Sequence, residues 1–114
     1  MCWLEILKDY KISEGVVHSF SGDATELKEL LSMGFYIGVN GCSLKTQQNL
    51  DVVKLIPLDK LMVETDSPYC DIKRTHASFK LTKSVFTMKA LDKYDENFAV
   101  KGRNEPCFIW YVAD

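Results

Sequence analysis

The sequence predicts an α/β chain in which short parallel strands alternate with helices, and three observations carry that reading. Apolar, β-type runs stand at residues 16–20, 35–39 and 61–63, each preceded by a stretch with apolar residues at helical spacing. Parallel neighbours need a crossover long enough to hold a helix, so this order of helix, strand, helix, strand, helix, strand is the pattern of β-α units. The third run then ends on a carboxylate pair, Glu64 and Asp66, and is stopped by Pro68. Sites in such sheets lie at the carboxyl ends of the strands, and a carboxylate leaving a rigid strand there can face a cation without being buried.

Trp3, Ile6, Leu7 and Tyr10 recur at helical spacing with Glu5, Lys8, Asp9 and Lys11 between them, an amphipathic helix that Gly15 ends. Val16 to Phe20 is the first strand, closed by Ser21-Gly22. Asp23 with Glu26 three residues later is a helix-start signature, and Leu27, Leu30 and Leu31 line one face of the helix before Gly34 caps it. Phe35 to Val39 is the second strand, ended by Asn40-Gly41; Leu50, Val53 and Ile56 mark a helix that Pro57 terminates, and Leu61-Met62-Val63 begins the third strand. His18, Asn40 and Asp66 then share one edge. The interval from His18 to Asp66 fits about two β-α units at the roughly 30 residues per unit of an eight-fold barrel.

Residues 71–101 lack a clean period, with a helix expected only around Phe79 to Leu91. Arg103-Asn104-Glu105-Pro106 reads as a helix start with proline in its first turn. The tail, 107–114, reads as aromatic and β-prone.

The chain has 114 residues, 46% hydrophobic and 26% charged, with a net charge of -2. That supplies one core and one domain at most, and no global attraction to nucleic acid; phosphate binding then needs a local basic patch or a metal. Cys2, Cys42, Cys70 and Cys107 form no C-x-x-C pair, which reads as reduced intracellular thiols. The first ten residues carry acids and no long apolar run, so a signal peptide or membrane span is not expected. The expected compartment is intracellular.

Three segments, Val17-His18-Ser19-Phe20-Ser21-Gly22, Glu64-Thr65-Asp66-Ser67-Pro68-Tyr69 and Arg103-Asn104-Glu105-Pro106, resemble in this order the TatD family of metal-dependent deoxyribonucleases. Gly38 to Ser43 and Thr75-His76-Ala77 look like its eukaryotic branch. The resemblance covers about residues 10 to 107. It implies the carboxyl-terminal part, about three β/α units, of a metallohydrolase-type TIM (β/α)8 barrel, with 1–114 a partial TatD-type hydrolase domain. It also implies His18 and Asp66 as metal ligands, further ligands from upstream segments that this sequence does not contain, DNA as partner, and the nucleus or cytoplasm as location.

Phosphodiester hydrolysis at neutral pH calls for a cation that acidifies water and a positive centre beside the leaving oxygen. In such a site Asp66 is ligand and general base, His18 a neutral ligand, and Glu64 the group that orients it. Arg103 and Glu105 are expected as a supporting charged pair near the site's base. Lys73, Arg74 and His76 are the basic cluster available to a DNA phosphate. The expected ion is Mg2+, with Zn2+ or Mn2+ as alternatives; held by His18 and Asp66 alone it binds weakly, on the order of millimolar. Two other readings remain open: a non-catalytic truncated isoform associating through exposed sheet edges, and a related metallohydrolase of another ester or amide.

Overall fold

The computed structural model describes residues 3–114; the thiol expected at Cys2 lies outside the described residues. Helix α1 (Trp3–Asp9) forms where the spacing predicts it, but only part of the predicted stripe meets the core. Leu4 is 6% exposed and Leu7 packs against the core, while Trp3, Ile6 and Tyr10 stay exposed. Strand β1 (Val16–Val17) leads through Asp23 into α2 (Ala24–Ser32). The predicted capping box is present there: the Asp23 carboxylate accepts the Thr25 and Glu26 N–H groups, and Glu26 accepts the Asp23 N–H. Gly34 ends the helix at φ +94, a conformation a side chain would strain.

Strand β2 (Tyr36–Val39) follows, then a 3-10 turn at Gly41–Leu44, α3 (Gln47–Val53) capped by the Thr46 hydroxyl, and β3 (Leu61–Val63). The three strands pair in parallel in the order β1-β2-β3, with Val16 opposite Tyr36 and Ile37 opposite Leu61. Each strand lies beside its sequence neighbour, the order in which a β/α barrel advances. The α/β class and the barrel-type parallel segment are thus as the sequence predicts. Leu27 and Leu30 of α2, Ile37 and Val39 of β2, and Leu44, Leu50 and Val52 around α3 form the core.

Parallel sheets are ordinarily covered on both faces. The central strand comes nearest to that condition among the described residues: Ile37, Gly38 and Val39 are buried and Tyr36 is 39% exposed, whereas Val16 of β1 and Met62 and Val63 of β3 are 40% to 45% exposed. The radius of gyration, 16.0 Å, exceeds the roughly 13 Å expected for a compact domain of this length, reflecting an elongated body.

Beyond residue 70 the structure corrects two expectations. The helix expected around Phe79 to Leu91 is a 3-10 turn at Ala77–Leu81, followed by extended chain and a parallel pair, β4 (Met88–Lys89) with β5 (Ala99–Val100). The Thr82 hydroxyl donates to the Phe79 carbonyl at 2.7 Å, a local bond that competes with continuing the helix. The β-prone tail is helical: Pro106 opens a 3-10 turn, as its position in the motif predicts, and α4 (Ile109–Ala113) continues it. Phe108 and Tyr111, three residues apart, both pack on Phe86, so a helical face satisfies the aromatics better than a strand would. The Asp114 carboxylate accepts the N–H groups of Lys83 and Ser84 and is held below the usual carboxylate range, chiefly by Ser84.

The cysteine expectation is corrected as well. Cys42 and Cys70 are joined as a disulfide, Cα to Cα 5.1 Å, while Cys107 is free and exposed. No described helix is long and apolar enough to cross a membrane.

Candidate metal centre

The carboxyl ends of the three strands deliver one polar residue each: His18 directly follows β1, Asn40 follows β2 and Glu64 follows β3, with Asp66 two residues further on. Strand pairing continues past the strand ends, Phe20 N–H to the Gly38 carbonyl and Glu64 N–H to the Val39 carbonyl, so the exits are fixed relative to one another.

The His18 ring bridges the two carboxylates. Its Nδ1 lies 3.0 Å from Glu64 Oε2 and its Nε2 3.3 Å from Asp66 Oδ2. Glu64 Oε2 also accepts the Ser19 N–H at 3.0 Å, and Gly38 leaves the room Glu64 occupies, because a Cβ there would meet its carboxylate. In the neutral ring, a proton on Nδ1 facing Glu64 would leave the Nε2 lone pair on the Asp66 side, the side on which an ion would be held. The His18 pKa is raised, first by the hydrogen bond to Glu64, then by the charges of Glu64 and Asp66. The ring is 65% exposed and the carboxylates are partly buried, leaving one side of the group open to solvent.

Asn40, fully buried, donates through Nδ2 to Asp66 Oδ2 and Ser19 Oγ, both at 2.9 Å, while its Oδ1 accepts the Cys42 N–H. Asp66 has φ +55, in the left-handed region that aspartate tolerates better than most side chains. One donor atom each from His18, Glu64 and Asp66 lies within 4.8 Å of the others. An imidazole nitrogen with two carboxylate oxygens fits a small divalent cation such as Mg2+, Mn2+ or Zn2+. Glu64 is thus close enough to serve as third ligand as well as to orient the ring.

Arg103 and Glu105 bond to each other, guanidinium nitrogen to carboxylate at 2.7 Å and 3.1 Å, on a partly exposed surface. The residue between them reaches the loop that carries Asp66: buried Asn104 donates to the Thr65 and Tyr69 carbonyls. Lys73 and His76 form a turn of their own, the Lys73 N–H donating to His76 Nδ1 at 3.2 Å, with Arg74 exposed between them. Burial, then Lys45 and Lys73, lower the His76 pKa, so the ring is neutral near pH 7 and the positive charge there comes from the lysines and Arg74. Sequence reasoning placed Asn40 on the right edge without a role and missed Ser19 and Asn104. Asparagines directly after a strand and inside a motif were the available signal.

The family model described as TatD related DNase matches residues 2–114. "Deoxyribonuclease Tat-D" of Schizosaccharomyces pombe is 46% identical over 103 residues, covering 89% of this chain and 33% of its own. "Uncharacterized metal-dependent hydrolase YcfH" of Escherichia coli is 41% identical over 70 residues, 58% of this chain and 26% of its own. A crystal structure titled as a hydrolase TatD family protein from Entamoeba histolytica superposes with a TM-score of 0.89 at 41% identity, covering 96% of this chain and 37% of that one. The chain spans about a third of the length of these relatives. With its parallel strand ends, its histidine and paired carboxylates and a match along nearly its whole length, the chain belongs to the TatD related DNase family.

Proposed function

We propose that this chain is the cation-holding carboxyl-terminal part of a metal-dependent deoxyribonuclease that hydrolyses DNA phosphodiester bonds. The observation that carries the reading is the cluster of His18, Glu64 and Asp66 at one sheet edge, the one such group among the described residues, with Glu64 held by the Ser19 N–H, Asp66 by Asn40, and the His18 ring set between the two carboxylates. The names of two relatives, one a deoxyribonuclease and one a metal-dependent hydrolase, support the same chemistry.

His18 Nε2 and the Asp66 carboxylate would hold the ion, with Glu64 orienting the ring and available as a third donor. The ion, when bound, supplies positive charge that acidifies water and stabilises a phosphoryl oxygen. Asp66 would take the proton of the attacking water; the water oxygen bonds to phosphorus as the bond to the leaving oxygen breaks, and that oxygen takes a proton from solvent while Asp66 returns the one it took. Lys73 and Arg74 attract the phosphate backbone, with His76 acting as a neutral donor or acceptor. The oxygen-rich donor set favours Mg2+ or Mn2+ over Zn2+. A DNA substrate would put this activity in the nucleus or the cytoplasm.

The test offers purified chain DNA, RNA and a p-nitrophenyl ester in turn, with Mg2+ or Mn2+ and then with excess chelator. Slow DNA cleavage that chelator abolishes is the expected result, slow because the ligand set here is small. Ester turnover without DNA cleavage would move the assignment to another metallohydrolase substrate, and cleavage insensitive to chelator would defeat the metal reading.

Exposed apolar residues at both sheet edges, Val16 on one side and Met62 and Val63 on the other, favour a second property, association through those edges. Light scattering behind size-exclusion chromatography should show mass rising with concentration between about 5 and 200 µM, the range in which weak interfaces assemble. A constant monomer mass would refute it.

A further inference from the structure

The two charges of the Arg103-Asn104-Glu105-Pro106 motif neutralise each other and take no part in the proposed cation chemistry. Asn104 stands apart from its neighbours. It is 6% exposed in a segment whose flanks are open, and it spends both amide N–H groups on the carbonyls of Thr65 and Tyr69, each at 2.7 Å. Its Oδ1 accepts the Glu105 N–H and its own backbone N–H donates to the Pro68 carbonyl, both at 3.1 Å.

The two carbonyls that converge on Asn104 flank Asp66. A turn that aims them at one point is held by a double donor there, because without it two partly buried carbonyls would each lose a hydrogen bond and repel one another. The same turn holds Asp66 at φ +55, with the Tyr69 N–H on the Asp66 carbonyl at 2.8 Å. A backbone in this region persists only where its surroundings over-determine it. Asn40 restrains the far end of the same residue by bonding its carboxylate.

We infer that Asn104 is the positioning residue of the cation group: by gripping the Thr65 and Tyr69 carbonyls it sets the backbone from which Asp66 reaches toward His18. The inference rests on the cation reading above, and its test separates the two. Asn104→Ala removes the grip; Asn104→Asp keeps the shape and the Glu105 contact but loses both donors. In each variant amide exchange at Tyr69 should accelerate at least about tenfold while the α2 amides keep parental protection. Mn2+ affinity should fall about tenfold, the usual cost of losing a group that orients a ligand. Mn2+ broadening of the Asp66 resonance should fall relative to that of His18, because the ion keeps its imidazole contact while the carboxylate has drifted.

Unchanged Tyr69 exchange, or broadening lost equally at both residues, would overturn the inference. Lost α2 protection in both variants would overturn it too, since Asn104 would then serve the whole fold instead of the loop. The cation reading fails separately if the parent chain shows no saturable Mn2+ binding, and Tyr69 exchange still decides whether the brace exists.

Discussion

Changing Asp66 to asparagine is expected to abolish saturable Mn2+ binding, a loss of about a hundredfold or more, while the unfolding midpoint stays that of the parent. Groups that merely orient a ligand are worth about 10- to 100-fold in affinity, and Asp66 is proposed as a ligand itself. Asparagine is the informative replacement because it also tolerates the left-handed backbone at φ +55. Its side-chain oxygen can keep the bond from Asn40 Nδ2 that Asp66 Oδ2 now accepts at 2.9 Å. What disappears is one of the two negative charges facing His18. Asp66→Ala would add backbone strain of about 1 kcal/mol and mix a folding defect into the result. Titration of Mn2+ followed by the free-ion electron paramagnetic resonance signal checks the expectation, with circular dichroism for the fold. Binding as tight as the parent's would mean that His18 and Glu64 hold the ion without Asp66, and the base assigned to this site would be lost with it.

The parts of this site that were legible in the sequence are those whose residue type and position are both unusual. A histidine and a carboxylate pair at the ends of apolar runs leave few alternatives once parallel β-α order is recognised, and His18 Nε2 and Asp66 Oδ2 are 3.3 Å apart. The α2 start was legible for the same reason, since Asp23 and Glu26 make a reciprocal pair of bonds that depends only on local spacing. The amides were not legible. Asn40 and Asn104 carry no charge, resemble turn residues in composition, and acquire their roles only when carbonyls and carboxylates from 26 to 39 positions away converge on them. Helix α1 shows the limit of periodicity: the sequence offered an apolar stripe through Trp3, Ile6, Leu7 and Tyr10, yet of these Leu7 alone packs on the core, beside the buried Leu4 that the stripe left out. The tail misled through propensity, which the packing of Phe108 and Tyr111 on Phe86 overrides. The Cys42–Cys70 pair had no local signature at all, because a separation of 28 residues matches no motif and only the meeting of two strand exits brings the sulfurs together.

That meeting has the largest expected effect on stability: reducing the Cys42–Cys70 bond should lower the unfolding free energy by about 3.5 kcal/mol, the loop-entropy value for this separation. For a chain of this size the midpoint should fall by at least about 10 °C. The bond joins the loop leaving β2 to the loop that carries Asp66, and the backbones there are already in close approach, since a Cβ on Gly41 would meet the Cys70 carbonyl. The Cys42 N–H is tied to Asn40, whose other end holds the Asp66 carboxylate, so the covalent link and the His18, Glu64 and Asp66 cluster share one scaffold. Reduction therefore loosens the loop as well as enlarging the unfolded ensemble, and a Cys42→Ser variant should reproduce the loss without reductant. Thermal unfolding with and without a phosphine reductant measures the effect, alongside thiol titration of the denatured chain, which should find two of the four cysteines unreactive before reduction. Four reactive thiols and equal midpoints would show the two sulfurs to be reduced neighbours, and the rigidity of the Asp66 loop would then rest on Asn40, Asn104 and the approach at Gly41.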